Sequence, residues 1–292
     1  MWLVVIALIP ALISAVLFFG PYQLIVVATS VAAAVATECF IKLIRKRKIT
    51  VDDGSAVITG LLLGLILPPN FSLSSTVLGS VFAIAIGKEV FGGLGYNIFN
   101  PALAGRAFLQ AAFPVAITTW TVPQYAVDTV SSATPLAAYK FDKVLTGIQP
   151  MFLGNIGGSI GETSALAILV GGIFLIAVGV VNYRVPAAMI IGMILFAGLL
   201  WVIDPVKYPD PLFQIFAGGF LFGTFFMATD WVTSPVTSKG MWVFGIGIAL
   251  LVVVIRVFGG LPEGVMYAIL IMNSVVPIIN RYTYPRIFGE AK

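Results

Sequence analysis

The chain has 292 residues, of which 60% are hydrophobic and 10% charged, with a mean hydropathy of +1.07. An ordinary soluble domain is about 25% charged, so this composition excludes a water-soluble fold and predicts an all-α polytopic membrane protein. The net charge of +4 is carried mostly by short loops, where it orients helices in a bilayer, and is not a nucleic-acid signal.

The N-terminal run MWLVVIALIPALISAVLFFG lacks a basic n-region and a small-x-small cleavage site, so it reads as a first span rather than a signal peptide. Apolar windows of roughly 17 to 25 residues predict ten spans, at about 2–19, 22–43, 55–69, 73–91, 99–117, 163–183, 186–203, 212–229, 241–258 and 264–280. The third ends in LPPN, where Pro68 and Pro69 stop it. The cluster Arg45–Lys46–Arg47–Lys48 marks the cytoplasmic side. Alternation then places both termini inside, with Lys42, Lys88, Arg184, Lys239, Arg281, Arg286 and Lys292. Lys140, Lys143, Lys207 and Arg256 fall outside, and Arg106 within a span. The chain is predicted to be one integral membrane domain, 1–292: five helices in 1–117, an extracytoplasmic loop at 118–162, and five helices in 163–292.

GLLLG at Gly60–Gly64 and GFLFG at Gly219–Gly223 share their glycine spacing, and each precedes a polar, proline-containing break. Two readings stand: two inverted five-helix repeats, which place binding sites at broken helices, or ordinary close-packing glycines of membrane helices. The segment GKEVFGGLGYNIFNPALAGRAF, Gly87–Phe108, is rich in glycine and asparagine. It lacks G-x-G-x-x-G spacing and no strand precedes it, so it is no dinucleotide loop. Its glycines can expose backbone N–H groups. Asn97 and Asn100 offer uncharged hydrogen bonds, and Asn100–Pro101 suits a helix start. Arg106 at bilayer depth either faces a polar cavity or anion or snorkels to the interface. Lys88, Glu89 and the i,i+4 pair Glu38–Lys42 are expected at the cytoplasmic interface. Asp230, in ATDWVTSPVTSKG, either binds a ligand or caps its own turn.

There is one cysteine, Cys39, and no histidine, which rules out an internal disulfide and a Cys/His metal site. No metal-ligating set and no catalytic side chain is predicted; the chemistry must be carried by something bound, or by carboxylates and hydroxyls. In the polar loop DTVSSATPLAAYK, 128–140, Pro135 biases Thr134 to an extended backbone, and small neighbours leave its hydroxyl accessible.

Taken in order, GKEVFGGLGYNIFNPALAGRAF, DTVSSATPL and TDWVTSPVTS resemble the RnfD/NqrB family of membrane flavoproteins, along essentially the whole chain and nearer its RnfD branch. The resemblance implies FMN attached through a phosphoester to Thr134 by a flavin transferase. Asp128, Ser131, Ala133 and Thr134 match the family's D-x-x-[ST]-G-A-T motif, with Ser132 where glycine is usual. It also implies a second, non-covalent flavin (riboflavin) in the bundle, for which Asn97, Asn100, Arg106 and Asp230 are candidates, and a fold of inverted five-helix repeats similar to urea transporters. The implied role is electron transfer in a bacterial or archaeal cytoplasmic (inner) membrane, within an Rnf complex whose other subunits (A, B, C, E, G) are the partners. It is coupled to Na⁺ or H⁺ movement, without independent turnover. The alternatives are the B-type subunit of a Na⁺-pumping NADH:quinone oxidoreductase and a urea-transporter-like solute channel.

Overall fold

The computed structural model describes residues 1–48, 50–121, 123 and 133–285; Asp128, Ser131, Arg286 and Lys292 lie outside these. The described residues fold as helices and connecting turns. The first half comprises α1 Trp2–Phe19, α2 Tyr22–Ile44, α3 Ser55–Leu65, α4 Leu73–Ile84 and α5 Pro101–Ala112. The second comprises α6 Ala165–Ala177, α7 Arg184–Ile203, α8 Pro211–Phe216, α9 Phe220–Phe222, α10 Ser238–Phe258 and α11 Val265–Thr283. All ten expected spans therefore have a helical counterpart. Among the described residues five helices, α1, α2, α7, α10 and α11, are long and apolar enough to cross a membrane, and α3 and α6 are shorter apolar helices.

The shorter elements have local causes. α3 stops at Leu65, ahead of Pro68 and Pro69, because a proline excludes the helical region from the residue before it. α4 passes into a π-helical turn at Ala85–Glu89, and α9 into another at Gly223–Met227. Span eight is broken: α8 ends at Phe216, and Ala217 takes an extended conformation before α9 begins. α5 starts as its sequence requires, with Asn100 accepting from the N–H groups of Ala102 and Leu103 and Pro101 in the first turn.

Packing follows the same order in both halves. α2 packs on α3 and α4, and α4 on α5; α7 packs on α8 and α10, and α10 on α11; α1 and α6 pack on each other. The α2–α3 contact is backbone on backbone. A methyl group at Gly60 would lie 2.6 Å from Val31 Cα, and one at Gly64 3.0 Å from Val27 Cα. Ser30 Oγ donates to the Gly60 carbonyl at 2.7 Å and meets Ser80 Oγ at 3.0 Å. Small residues that admit a neighbouring backbone, joined by hydroxyl hydrogen bonds, are what hold helices together when lipid is as apolar as the side chains. GLLLG is thus a close-packing motif here, and in GFLFG Gly223 likewise admits Val265 of α11, whose Cγ1 would lie 2.5 Å from a methyl group there.

Candidate functional site

Two cavities occupy opposite ends of the bundle. The first, about 310 Å³, opens where α1, α3 and α5 begin and is lined by Lys88, Asn97, Asn100, Phe226 and Asp230 among others. It lies at the end carrying the basic cluster, since Arg45 Nη1 donates to the Glu89 carbonyl at 2.6 Å and Arg47 Nη1 to that of Gly92 at 3.2 Å. The second, about 360 Å³, lies at the other end, with Arg106, Thr134, Glu162, Thr163 and Glu263 in its walls. The first turn of α5 contributes to both linings, and the segment 223–232 does the same. They form the partition, and the Asn100 amide ties them together by donating to the Met227 carbonyl at 3.3 Å.

In the first cavity Asn100 is engaged at both polar atoms of its side chain. Its Oδ1 accepts two backbone N–H groups, its Nδ2 holds Met227, and its own N–H donates to Asn273 Oδ1 at 3.3 Å. It shapes the cavity wall. Asn97 donates to the Phe99 carbonyl at 3.2 Å, which leaves its Oδ1 to accept from a ligand. Asp230 caps its own turn, accepting from Thr233 Oγ1 at 3.0 Å and from the Val232 N–H at 3.5 Å. Beside them, at the end that carries the basic cluster, runs an ion network that is buried between helices. Glu38 is 0% and Lys88 2% exposed. Glu38 bridges Lys42 and Lys88, and Lys88 also donates to Ser55 Oγ at 2.5 Å. Packing of α2 against α4 closes over these groups, which no single-helix pattern shows.

Arg106 is not with Asn97, Asn100 and Asp230. It points into the second cavity, where Nη1 donates to Glu162 Oε1 at 3.1 Å and Nη2 lies 3.6 Å from Glu263 Oε2. It does not snorkel, because two carboxylates hold it inside; its side chain is 9% exposed. Neither glutamate stands out in the sequence, since each is a lone acid in a glycine-containing loop. Glu162 is carried by a segment that leaves the 118–162 loop and enters the bundle: Ile160 N–H donates to the Leu67 carbonyl at 2.9 Å and Gly161 N–H to that of Leu65 at 2.6 Å. These bonds satisfy carbonyls that the early end of α3 would leave orphaned.

Thr134 sits at the rim of this cavity, half-buried, with φ −65° and ψ 156°, the extended shape that Pro135 imposes. Its Oγ accepts the Ala137 N–H at 3.2 Å and so caps a short helical stretch over 135–142. Ala133 is exposed beside it. Lys140 fixes the stretch in place by donating to the carbonyls of Arg256, Gly259 and Leu261 at 3.1, 2.5 and 2.8 Å. Arg256, in the last turn of α10, is only 5% exposed. Its guanidinium donates to the Gln214 and Ala217 carbonyls at 2.5 and 3.0 Å, where the break in span eight frees them.

The NQR2, RnfD, RnfE family model matches residues 1–289. The chain is 47% identical over 296 residues to the D subunit of the Na(+)-translocating ferredoxin:NAD(+) oxidoreductase complex of Acetobacterium woodii, covering 99% of this chain and 90% of that one. It is 44% identical over 307 residues to the D subunit of the proton-translocating ferredoxin:NAD(+) oxidoreductase complex of Clostridium ljungdahlii, covering 100% and 92%. To the D subunit of the ion-translocating oxidoreductase complex of Cronobacter sakazakii it is 35% identical, covering 99% and 94%. With the family model spanning nearly the whole length and such relatives matched end to end, the chain belongs to the NQR2, RnfD, RnfE family.

Proposed function

We propose that this chain is the membrane electron-transfer subunit of an ion-translocating ferredoxin:NAD⁺ oxidoreductase complex, carrying FMN covalently on Thr134 and a second flavin in the Asn97 cavity. The observation that carries the reading is the end-to-end likeness to proteins named as the D subunit of such complexes. The residues present suit the cofactors. A threonine alcohol is held at the rim of a cavity of about 360 Å³, and its hydroxyl has one weak local partner. The Asn97 cavity, mostly apolar with an available amide oxygen, has the make-up of a site for a flat, polar-edged ring.

A bound flavin supplies the one- and two-electron chemistry that a chain without histidine and with one cysteine cannot supply itself. The polypeptide positions. Lys140 holds the Thr134 stretch over its cavity, Arg106 presents a positive charge beside it, and the partition of Asn100–Leu103 and Gly223–Met227 separates the two cavities. The basic loops favour the cytoplasm for the Arg45 end and both termini, and so the outside for Thr134, where a flavin transferase reaches it. The matching packing order of the two halves supports an inverted repeat. The other Rnf subunits are the partners in this reading. The urea-channel alternative gains no support from the relatives' names.

The test is in-gel fluorescence of the denatured chain, made in a host that has the transferase. A fluorescent band that disappears in Thr134→Ala is expected. A dark wild-type band, or fluorescence that survives the substitution, refutes the attachment site.

A further inference from the structure

A third cavity, about 520 Å³, adjoins the first: Val180, Val181, Thr229 and Trp231 stand in the walls of both. It therefore lies at the end of the bundle that carries the basic cluster. One wall is the α6–α7 connection with the start of α7, and the other is the segment 229–241 that leads into α10.

Arg184 is the one charged residue in the lining. It opens α7, a helix long and apolar enough to cross a membrane, and so stands at the junction of span and loop, the depth at which lipid head groups lie. Its guanidinium is held in place. The Cζ atom lies 5.3 Å from the centroid of the Tyr183 ring, and Nη1 donates to Asn182 Oδ1 at 3.4 Å. The same oxygen accepts the Arg184 N–H at 3.1 Å. The other guanidinium donors meet no partner, and no carboxylate pairs with them, among the described residues. Asp230, the one acid in the facing segment, caps its own turn and lines the first cavity instead.

Trp231 forms the facing wall. Its Nε1 donates to the Val180 carbonyl at 2.8 Å, which pins the ring across the edge of the cavity although the residue is 73% exposed. Ser234 adds a hydroxyl with no partner among the described residues. Beyond the cavity, Ile191 and Leu195 follow Arg184 about two and three turns further along the same face of α7, and they are 50% and 58% exposed. A fixed cation, a pinned aromatic ring and an uncovered apolar track along a spanning helix thus occur together.

We infer that this cavity holds the head group of one anionic phospholipid, with its phosphate on Arg184 and an acyl chain along the Ile191–Leu195 face. The planar fork of arginine suits a phosphate. Tryptophan and tyrosine belong at the membrane–water boundary, and basic pockets between membrane helices take anionic head groups. A free phosphate would engage Arg184 but leave the apolar track uncovered, so the occupant is a lipid. An arginine that only oriented its helix would need neither the cavity nor the pinned ring. The inference is separate from the flavin reading, since neither Thr134 nor Asn97 lines this cavity.

The test is native mass spectrometry of the purified full-length chain, delipidated in mild detergent and titrated with phosphatidylglycerol. Phosphatidylcholine and inorganic phosphate are the comparison ligands. One phosphatidylglycerol per chain is expected to bind ahead of all further lipid. It should bind several-fold more tightly than phosphatidylcholine, whose added positive charge would sit beside Arg184, and inorganic phosphate should not displace it. Arg184→Gln should weaken this first binding about tenfold, through loss of the charge-assisted contact. Lys239→Gln removes an exposed charge from the same end but outside the cavity walls, and should leave the binding unchanged. Lipid that binds without a distinct first site, equal affinity for phosphatidylcholine, displacement by inorganic phosphate, or equal losses in the two variants each overturns the proposal. If Arg184→Gln fails to accumulate, Arg184→Lys decides. It keeps the charge but not the planar fork, so a several-fold loss is expected, and unchanged affinity overturns the assignment.

Discussion

Asn97 and Asn100 stand three residues apart in one loop and line one cavity, yet they are held differently. Asn100 completes a helix cap, joins two elements of the partition and is 2% exposed. Its replacement by alanine leaves buried backbone groups unpaired and should cost about 1–3 kcal/mol, seen as a lower thermal midpoint of the purified protein. Asn97→Ala removes one local hydrogen bond and should change stability by less than about 0.5 kcal/mol. It should instead lower the amount of non-covalent flavin released on denaturation, relative to the covalent flavin that stays with the chain. The asparagine cap and the extended Thr134 were legible in sequence, because caps and pre-proline geometry are decided by immediate neighbours. The glutamates of the Thr134 cavity were not, because an isolated acid in a loop looks the same in sequence whether it meets water or a guanidinium.

The two broken spans show how one device is satisfied in two ways. α3 stops at a proline pair, and its freed carbonyls take N–H groups from the loop at 160–161. α8 stops ahead of a Gly–Gly pair, and its carbonyls take the Arg256 guanidinium. Arg256→Met should destabilise the protein by on the order of 3 kcal/mol, because charge-assisted bonds are lost and buried carbonyls are left bare. The measurement is thermal unfolding in detergent. α3 also depends on its glycines. Gly60→Leu would force a branched side chain into the Val31 backbone and separate α2 from α3, so the variant should fail to accumulate in the membrane fraction, whereas Gly60→Ala should accumulate partially. Lys140 acts on the stretch that carries Thr134. Lys140→Ala should leave the bundle folded but speed proteolysis within 135–147 several-fold, because the lysine's three carbonyl partners lie in the α10–α11 connection and at the end of α10.

For the molecule as a whole, ten apolar windows, their order and the basic end of the bundle followed from the residues alone. Partition into lipid is a property of composition over a short stretch, and it does not depend on what the stretch packs against. Span boundaries at Pro68 and at Asn100–Pro101 followed likewise, from backbone sterics and capping. Which polar groups meet was settled by the packing of the helices. Packing put Arg106 with Thr134, Glu162 and Glu263, away from Asn97, Asn100 and Asp230; it buried Glu38 with Lys88; and it carried the end of the 118–162 segment into the bundle beneath α3. The physical reason is that burying a charge in a membrane protein is tolerable only beside its partner. Such partners stand 50 to 157 residues apart in this chain, a separation that nothing local in the sequence can close.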